Sequence, residues 1–277
     1  IKLKTPSSIG GTIMNEVNNT LYIPLYGKAK VSKKGIIIND HKAEEIWEKE
    51  KFPLKGKAKS KWLTYFLAMR ARVFDEWVKQ QIQDNPQSII LHIGCGMDSR
   101  IIRVGSISNC WYDVDFPDVI AERKKYYSEN ENYHMVGADA SKTAWIENLP
   151  NCSHAVVILE GISMYLKNED VTNLFTSLQG KFQQVNILMD AYTTLGARAS
   201  KYKNPINDVG VRQVYGIDEP KFILKDNDIE FIKEHTMTPP TLVNELSGFE
   251  KIFFATMFTG KVAKKLYRLF EYKTSQR

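Results

Sequence analysis

The chain has 277 residues, 43% of them hydrophobic and 25% charged, with a formal net charge of +6. That is an ordinary soluble globular composition, long enough for one large α/β domain with a substantial core. No apolar run approaches the length of a membrane span, and Ile1-Lys2-Leu3-Lys4 is not followed by the apolar core of a secretory signal, so a cytoplasmic location and no membrane partner are expected.

Residues 1–11 carry Pro-Ser-Ser and Gly-Gly and read as a flexible lead-in. A helix is expected over residues 12–23, with Thr12 as cap and Ile13, Val17 and Leu21 on one face. Residues 28–53 are mixed and read as a lid over the site. The strongest helical pattern covers residues 57–83, where Trp62, Leu63, Phe66, Leu67, Val73, Phe74, Trp77 and Val78 recur at helical spacing. Arg70 and Arg72 interrupt it. Each is either a bidentate fork for a carboxylate or one half of a surface ion pair.

The centre of the sequence is Ile89-Ile90-Leu91-His92-Ile93-Gly94-Cys95-Gly96-Met97-Asp98-Ser99-Arg100. A short run rich in β-branched residues predicts a buried strand, and Gly94 and Gly96 end it in a loop whose backbone a ligand can approach. A short helix should begin near Asp98 and Arg100. The third glycine of a dinucleotide fingerprint is replaced by Ser99, and the Gly-Lys-Ser/Thr ending of a phosphate loop is absent. A second strand, Cys110 to Asp115, ends in an acid about 20 residues after the loop, where doubly wound folds keep a ribose-binding carboxylate. These features suit a ligand that has a ribose and no phosphate to cradle.

Pro117 opens a helix at its first turn. Tyr133 to Val136 predicts a third strand, followed by Asp139-Ala140; Asp139 faces the ligand crevice or caps a short helix over residues 141–146. Ala155 to Leu159 is a fourth strand closed by Glu160, which should stand at the strand's mouth because it could not be buried unpaired. Tyr165 lines the same mouth or packs. Asn168 is expected to cap a helix over residues 169–178, and residues 185–189 form a fifth strand that ends at Asp190. Residues 196–220, rich in Gly, Pro, Asn and Lys, read as an insertion over the site. A helix from residue 221, a strand near Phe231, a helix from Pro240 and a last strand over residues 269–272 complete the chain. The alternation predicts an α/β sandwich with a mostly parallel sheet.

Cys95, Cys110 and Cys152 have no metal-ligand spacing and read as small buried side chains in a reducing compartment, so no metal is expected. The lysines spread over three segments, interleaved with acids in two of them, which favours solvated faces over nucleic-acid binding and is compatible with an anionic small substrate. His92 and His154 fall within or at the start of strands and read as structural, and no histidine is nominated as a general base.

Three motifs in order, His-Ile-Gly-Cys-Gly-Met-Asp-Ser-Arg (92–100), Tyr-Asp-Val-Asp-Phe-Pro-Asp-Val-Ile (112–120) and Leu-Glu-Gly-Ile-Ser-Met-Tyr-Leu (159–166), resemble the leucine carboxyl methyltransferase family, which includes polyketide O-methyltransferases. The resemblance covers roughly residues 12–195. It implies a Rossmann-like class I methyltransferase: a mostly parallel seven-stranded sheet flanked by helices, with an antiparallel edge and an N-terminal helical lid. The expected division is a lid with a capping helix over 12–83, an S-adenosylmethionine-binding core over 84–195, and an insertion with the end of the sheet over 196–277.

The resemblance implies S-adenosylmethionine as cofactor, S-adenosylhomocysteine as product, and cofactor contacts from Arg70, Gly94, Gly96, Asp115, Phe116, Asp139, Ala140, Glu160 and Tyr165. Arg70, five residues before Asp75, is implied to grip the cofactor's carboxylate, Asp139 to lie near the adenine amino group, and Glu160 to meet the α-amino group. His92 departs from the Asp common at its position, without loss of a backbone contact. The expected acceptor is a small molecule bearing a carboxylate or hydroxyl. A protein C-terminus and a non-catalytic cofactor-binding role stand as alternatives.

Overall fold

The computed structural model describes residues 21–50, 52, 54, 56–105, 108–200, 214–224 and 228–274. Its strands are β1 (Ile89–Ile93), β2 (Trp111–Asp115), β3 (Tyr133–Gly137), β4 (His154–Leu159), β5 (Gln184–Tyr192), β6 (Ile229–His235) and β7 (Tyr267–Thr274). They form one mixed sheet in the order β3-β2-β1-β4-β5-β7-β6. The first five of that order run parallel, β7 is antiparallel to β5, and β6 is antiparallel to β7.

Every residue of β1 and β4 is buried, as expected of central parallel strands covered on both faces. Period-two alternation then divides the core. Ile89, Leu91 and Ile93 of β1, and Ala155, Val157 and Leu159 of β4, face a layer built on the helix α6 (Asn168–Lys181). Ile90, Val156, Ile158 and Leu188 face the opposite layer, which contains α1 (Tyr22–Ser32), α2 (His41–Glu50) and α3 (Lys61–Asp84). The same alternation sends His92, Asp113, Glu160 and Asp190 toward α3, so the sheet presents its buried polar groups on one face.

That face is stabilised by an ion network. Arg70 of α3 pairs with Glu160 and Asp190, both at 3.0 Å. Arg100 and Arg103, from the short α4 (Arg100–Val104), pair with Asp75 of α3 at 2.7 and 2.6 Å. Arg103 also reaches Asp40 and Asp98, both at 2.7 Å, and Arg100 holds Glu160. Lys28 of α1 meets Asp98 at 3.0 Å. Asp40 accepts the Ala43 N–H at 2.9 Å and so caps α2. A buried charge left without its partner is strongly unfavourable, so the network ties α1, α2 and α3 to the glycine loop.

Several expectations change. Residues 28–53 hold two helices, and the described helix starts at Tyr22, with Pro24 tolerated in its first turn; residues 12–20 of the expected N-terminal helix lie outside the described residues. The long helix begins at Lys61, after a separate 3₁₀ turn over Gly56–Lys59. Helix α6 includes Asn168, whose side chain donates to the Gly216 carbonyl at 3.4 Å, and the Asp170 carboxylate accepts the Lys167 N–H. β5 continues through Asp190, because burial there is matched by Arg70 and by pairing opposite Leu269 of β7. A 3₁₀ turn over Pro220–Leu224 replaces the helix expected from residue 221, and the 141–146 helix is a 3₁₀ turn over Thr143–Asn148. Of the insertion, residues 201–213 lie outside the described residues, and 194–200 form a helix, α7 (Thr194–Ser200).

Between β6 and β7 the chain adds α8 (Pro240–Val243), α9 (Gly248–Met257) and α10 (Gly260–Lys264). They dock on α3 and on the turn between α1 and α2, through Glu245 with the Ile37 N–H, Glu250 with Tyr65 and Lys61, and Phe253 against Trp62 at 4.4 Å between ring centres.

Asp75 is buried and accepts from both Arg100 and Arg103. Asp75→Ala is expected to cost about 3 kcal/mol in denaturant unfolding, because two buried guanidiniums each lose one of their carboxylate partners. Glu76→Ala, which breaks only the exposed pair with Arg72, should cost under about 1 kcal/mol. Equal costs would refute the assignment of stability to the buried network.

Candidate active site

Four loops at the C-terminal ends of β1, β2, β3 and β4 open into one cavity of about 910 Å³. It lies where the strand order reverses between β1 and β4, the crevice in which open α/β sheets bind ligands. Arg70, Gly94, Gly96, Asp115, Phe116, Asp139, Ala140, Glu160 and Tyr165 all line it, so the structure brings the nine expected residues together.

Gly94 has φ +73°, and a β-carbon there would sit 2.6 Å from Ile162 Cδ1. Both the left-handed backbone and the close approach of the 160–162 turn require glycine. At Gly96, φ +50°, the N–H donates to Asp115 Oδ2 at 2.7 Å, while the Phe116 N–H donates to Oδ1 at 2.8 Å. These bonds orient the Asp115 carboxylate at the end of β2. Burial outweighs both of them and the Arg123 charge, and pushes the carboxyl up to about 6.

Glu160 stands at the mouth of β4 as expected and lines the cavity, but it is buried there, 8% exposed, and its burial is paired. Burial alone would raise its carboxyl; Arg100 and Arg70 outweigh that and hold it down at about 2. Arg70 donates from Nε to Glu160 at 3.0 Å and from Nη1 to the Tyr267 hydroxyl at 2.9 Å. Its Nη2 makes no hydrogen bond among the described residues. Arg72, by contrast, is an exposed i,i+4 partner of Glu76. Asp139 accepts the Ser141 N–H and hydroxyl at Oδ1, at 3.0 and 2.7 Å, and its Oδ2 lies beside the cavity 4.0 Å from Lys142 Nζ. The 3₁₀ turn that follows begins after Lys142 with no side-chain cap, so Asp139 does not take the expected capping role.

His92 is buried, its Nε2 3.2 Å from Arg100 Nη1, and burial lowers its pKa. It is thus held neutral, in keeping with a structural role. Cys95, also buried, is pushed well above the usual thiol range by burial. Among the described residues no cluster of His, Cys, Asp or Glu could hold a metal ion, and no helix is long and apolar enough to cross a membrane.

Lys28 and Asp98 line the cavity and were not singled out as site residues by sequence. Lys28 stands between Gly27 and Ala29 in a helix whose inner face is apolar; a lone cation there signals a buried partner, but the partner lies 70 residues away. The far wall also escaped notice. Leu63, Phe66, Tyr192, Phe258, Leu266 and Tyr267 give that half an apolar, aromatic surface assembled from α3, β5, α9–α10 and β7.

Residues 22–179 match the model of the leucine carboxyl methyltransferase family. The chain is 26% identical over 268 residues to the tetracenomycin polyketide synthesis O-methyltransferase TcmP of Streptomyces glaucescens, covering 95% of this chain and 99% of that one. Among solved structures, the N-methyltransferase NodS of Bradyrhizobium japonicum with S-adenosylhomocysteine gives a TM-score of 0.51 at 10% identity, over 95% of this chain and 100% of that one. Magnesium protoporphyrin IX methyltransferase of Synechocystis with the same ligand gives 0.50 at 13% identity, over 84% and 94%. These two likenesses concern the fold.

Gly94→Ala is expected to abolish ligand binding at the loop and to destabilise the fold by about 2 kcal/mol or more, since strain and a clash combine. Gly105→Ala, at φ +71° with nothing within 4 Å, should cost only about 1 kcal/mol and leave binding intact. Thermal melts and calorimetric titration of S-adenosylhomocysteine read the two effects.

Proposed function

This chain belongs to the leucine carboxyl methyltransferase family and is an S-adenosylmethionine-dependent methyltransferase, and on that premise we propose that it O-methylates a small, polyketide-like molecule, at a carboxylate in preference to a hydroxyl. The observation that carries this reading is the two-part cavity, with a charged half at the strand ends and an apolar, aromatic half beyond it. At about 910 Å³ it is near the upper limit of ligand pockets, room for a cofactor and an acceptor together.

The charged half suits the cofactor. The network sets Lys28, Arg70, Arg100 and Arg103 against Asp40, Asp75, Asp98, Glu160 and Asp190, one carboxylate in excess, which favours a ligand with a net positive charge. In this reading Asp115 accepts the ribose hydroxyls, the free Nη2 of Arg70 and Lys28 draw the carboxylate, Glu160 accepts the α-amino group, and Asp139 Oδ2 meets the adenine amino group beside Phe116 and Ala140. Gly94 and Gly96 admit the ligand to the backbone. Bound S-adenosylmethionine supplies a methyl group made electrophilic by its sulfonium. The chain has to align an acceptor oxygen with it and exclude water, for which the enclosing wall of Phe66, Tyr165 and Tyr192 is suited.

Among the described residues His92 is the histidine that lines the cavity, and it is buried against Arg100. A carboxylate acceptor, with a reference pKa of about 4, arrives ionised and needs no base; a phenol at about 10 does. This favours the carboxylate. We place the work in the cytoplasm, where Cys95, Cys110 and Cys152 would stay free thiols. Helix α1, whose Ile23, Pro24, Leu25 and Lys28 line the cavity, is the proposed lid, with α2 packed behind it.

Turnover of aromatic carboxylic acids with methyl-labelled cofactor, read by mass spectrometry, should give methyl esters. Conversion of phenols alone would sink the carboxylate reading, and tight cofactor binding without any turnover would favour the non-catalytic alternative. Since the Asp115 carboxyl sits near 6, cofactor affinity should be flat above about pH 7 and fall roughly tenfold per unit below about pH 6, as protonation removes the acceptor of the ribose hydroxyls. Calorimetry across that range should find weak, pH-independent affinity in Asp115→Asn.

A further inference from the structure

The helices between β6 and β7 bury one side and leave the other bare. On α9, Phe254 is fully buried against α3, whereas Phe249 is 71% and Ile252 67% exposed, one helical turn apart. Phe253, half-buried against Trp62, borders the stripe, its ring 5.8 Å from that of Phe249. Large apolar side chains this exposed, on a helix anchored by the buried Phe254, mark an interaction surface.

Two further features define the partner. Met257, Val262 and Leu266 are exposed and also line the cavity, so the bare surface runs without interruption into the apolar half of the site. Lys251, Lys261 and Lys265 are exposed around it and make no ion pair among the described residues. The one acid on α9, Glu250, is turned inward onto Tyr65 and Lys61. Apolar side chains projecting beside free cations match the chemistry of an anionic lipid surface, which takes the apolar groups into the acyl boundary and attracts the lysines. A second copy fits less well, since a two-fold contact would oppose the same lysines.

We propose that the α9–α10 face docks on an anionic lipid surface, with the cavity mouth held against it so that a lipophilic acceptor enters from the lipid without crossing water. The docking stands on the surface alone, whereas the route of the acceptor rests on the methyl-transfer reading. A helix lying in the interface needs no spanning length, so the lack of a membrane-spanning helix among the described residues leaves it open.

The full chain is tested by co-sedimentation with vesicles of phosphatidylcholine alone and of phosphatidylcholine mixed with phosphatidylglycerol. Wild type should partition onto the mixed vesicles, weakly onto the neutral ones, and less as salt rises. Phe249→Ser with Ile252→Ser should lose roughly tenfold or more of that partitioning, and Lys251→Gln with Lys261→Gln and Lys265→Gln should erase the preference for anionic lipid. None of these residues lines the cavity, so melting temperature and S-adenosylmethionine affinity should match wild type in both variants. Failure of wild type to bind mixed vesicles overturns the proposal, as does undiminished binding by the Phe249/Ile252 variant. A dimer in sedimentation that this variant dissociates, with no vesicle binding, assigns the face to a second copy, and capture by an acidic protein with no vesicle binding assigns it to a protein; either also overturns it.

Discussion

Asp75 holds Arg100 and Arg103 at once, and from that junction the buried ion network fixes the relation of the helical layer to the sheet. Arg103 continues to Asp40 and so to the start of α2, while Arg100 continues to Glu160 and, through it, to Arg70 on α3. Buried pairs of this kind add little over well-packed apolar residues, but a mismatch in them is severe. Their effect is therefore specificity of arrangement: α1, α2 and α3 can sit on this face of the sheet in one way. The glycine loop is fixed by the same contacts, because Asp98 lies within it and is shared by Lys28, Arg100 and Arg103.

A second network stands behind the loop. Asp113 on β2 is fully buried and takes Arg123, from α5 (Pro117–Arg123), and the Tyr133 hydroxyl at 2.6 Å. Burial opposes its ionisation, yet Arg123 and then His92 hold the carboxyl down at about 2. Arg123 also donates to the Gly96 carbonyl at 3.0 Å, so the backbone that would face the ligand is braced from beneath. Asp115, two residues on, has no ion pair among the described residues and sits near 6 instead. Two carboxylates on one strand thus take different tasks. One is saturated with partners and holds structure; the other keeps acceptor capacity at the cavity.

The apolar half of the cavity has a different origin. It comes from elements far apart in sequence, α3, the end of β5, the α9–α10 segment and the start of β7, which meet because β7 inserts antiparallel between β5 and β6. The helices that precede β7 are carried over the strand ends by that topology. Aromatic packing between Trp62, Phe253 and Phe258 fixes them to α3 and leaves the opposite side of α9 bare.

Much of this was legible in the sequence, and the division has a physical basis. Local patterns carry local information: the β-branched run before Gly94, the positive φ required at Gly94 and Gly96, the acid that ends β2 and Pro117 at a helix start were all readable because chain neighbours decide them. Of the nine expected residues that line the cavity, Gly94, Gly96, Asp115, Asp139 and Glu160 stood out because each ends or closely follows a strand, whereas Arg70, Phe116, Ala140 and Tyr165 were placed there by the family resemblance. The sequence could not reveal that Glu160 is buried between two arginines, that Asp190 lies inside its strand rather than past it, or that Lys28 belongs to the site. Each of those depends on a partner 29 or more residues away, and long-range pairing leaves no periodic trace. Local sequence therefore determined the sheet, the loop and the ligand class; only tertiary packing decided which charges are matched and which apolar surfaces stay uncovered, because burial and pairing are properties of elements brought together in space.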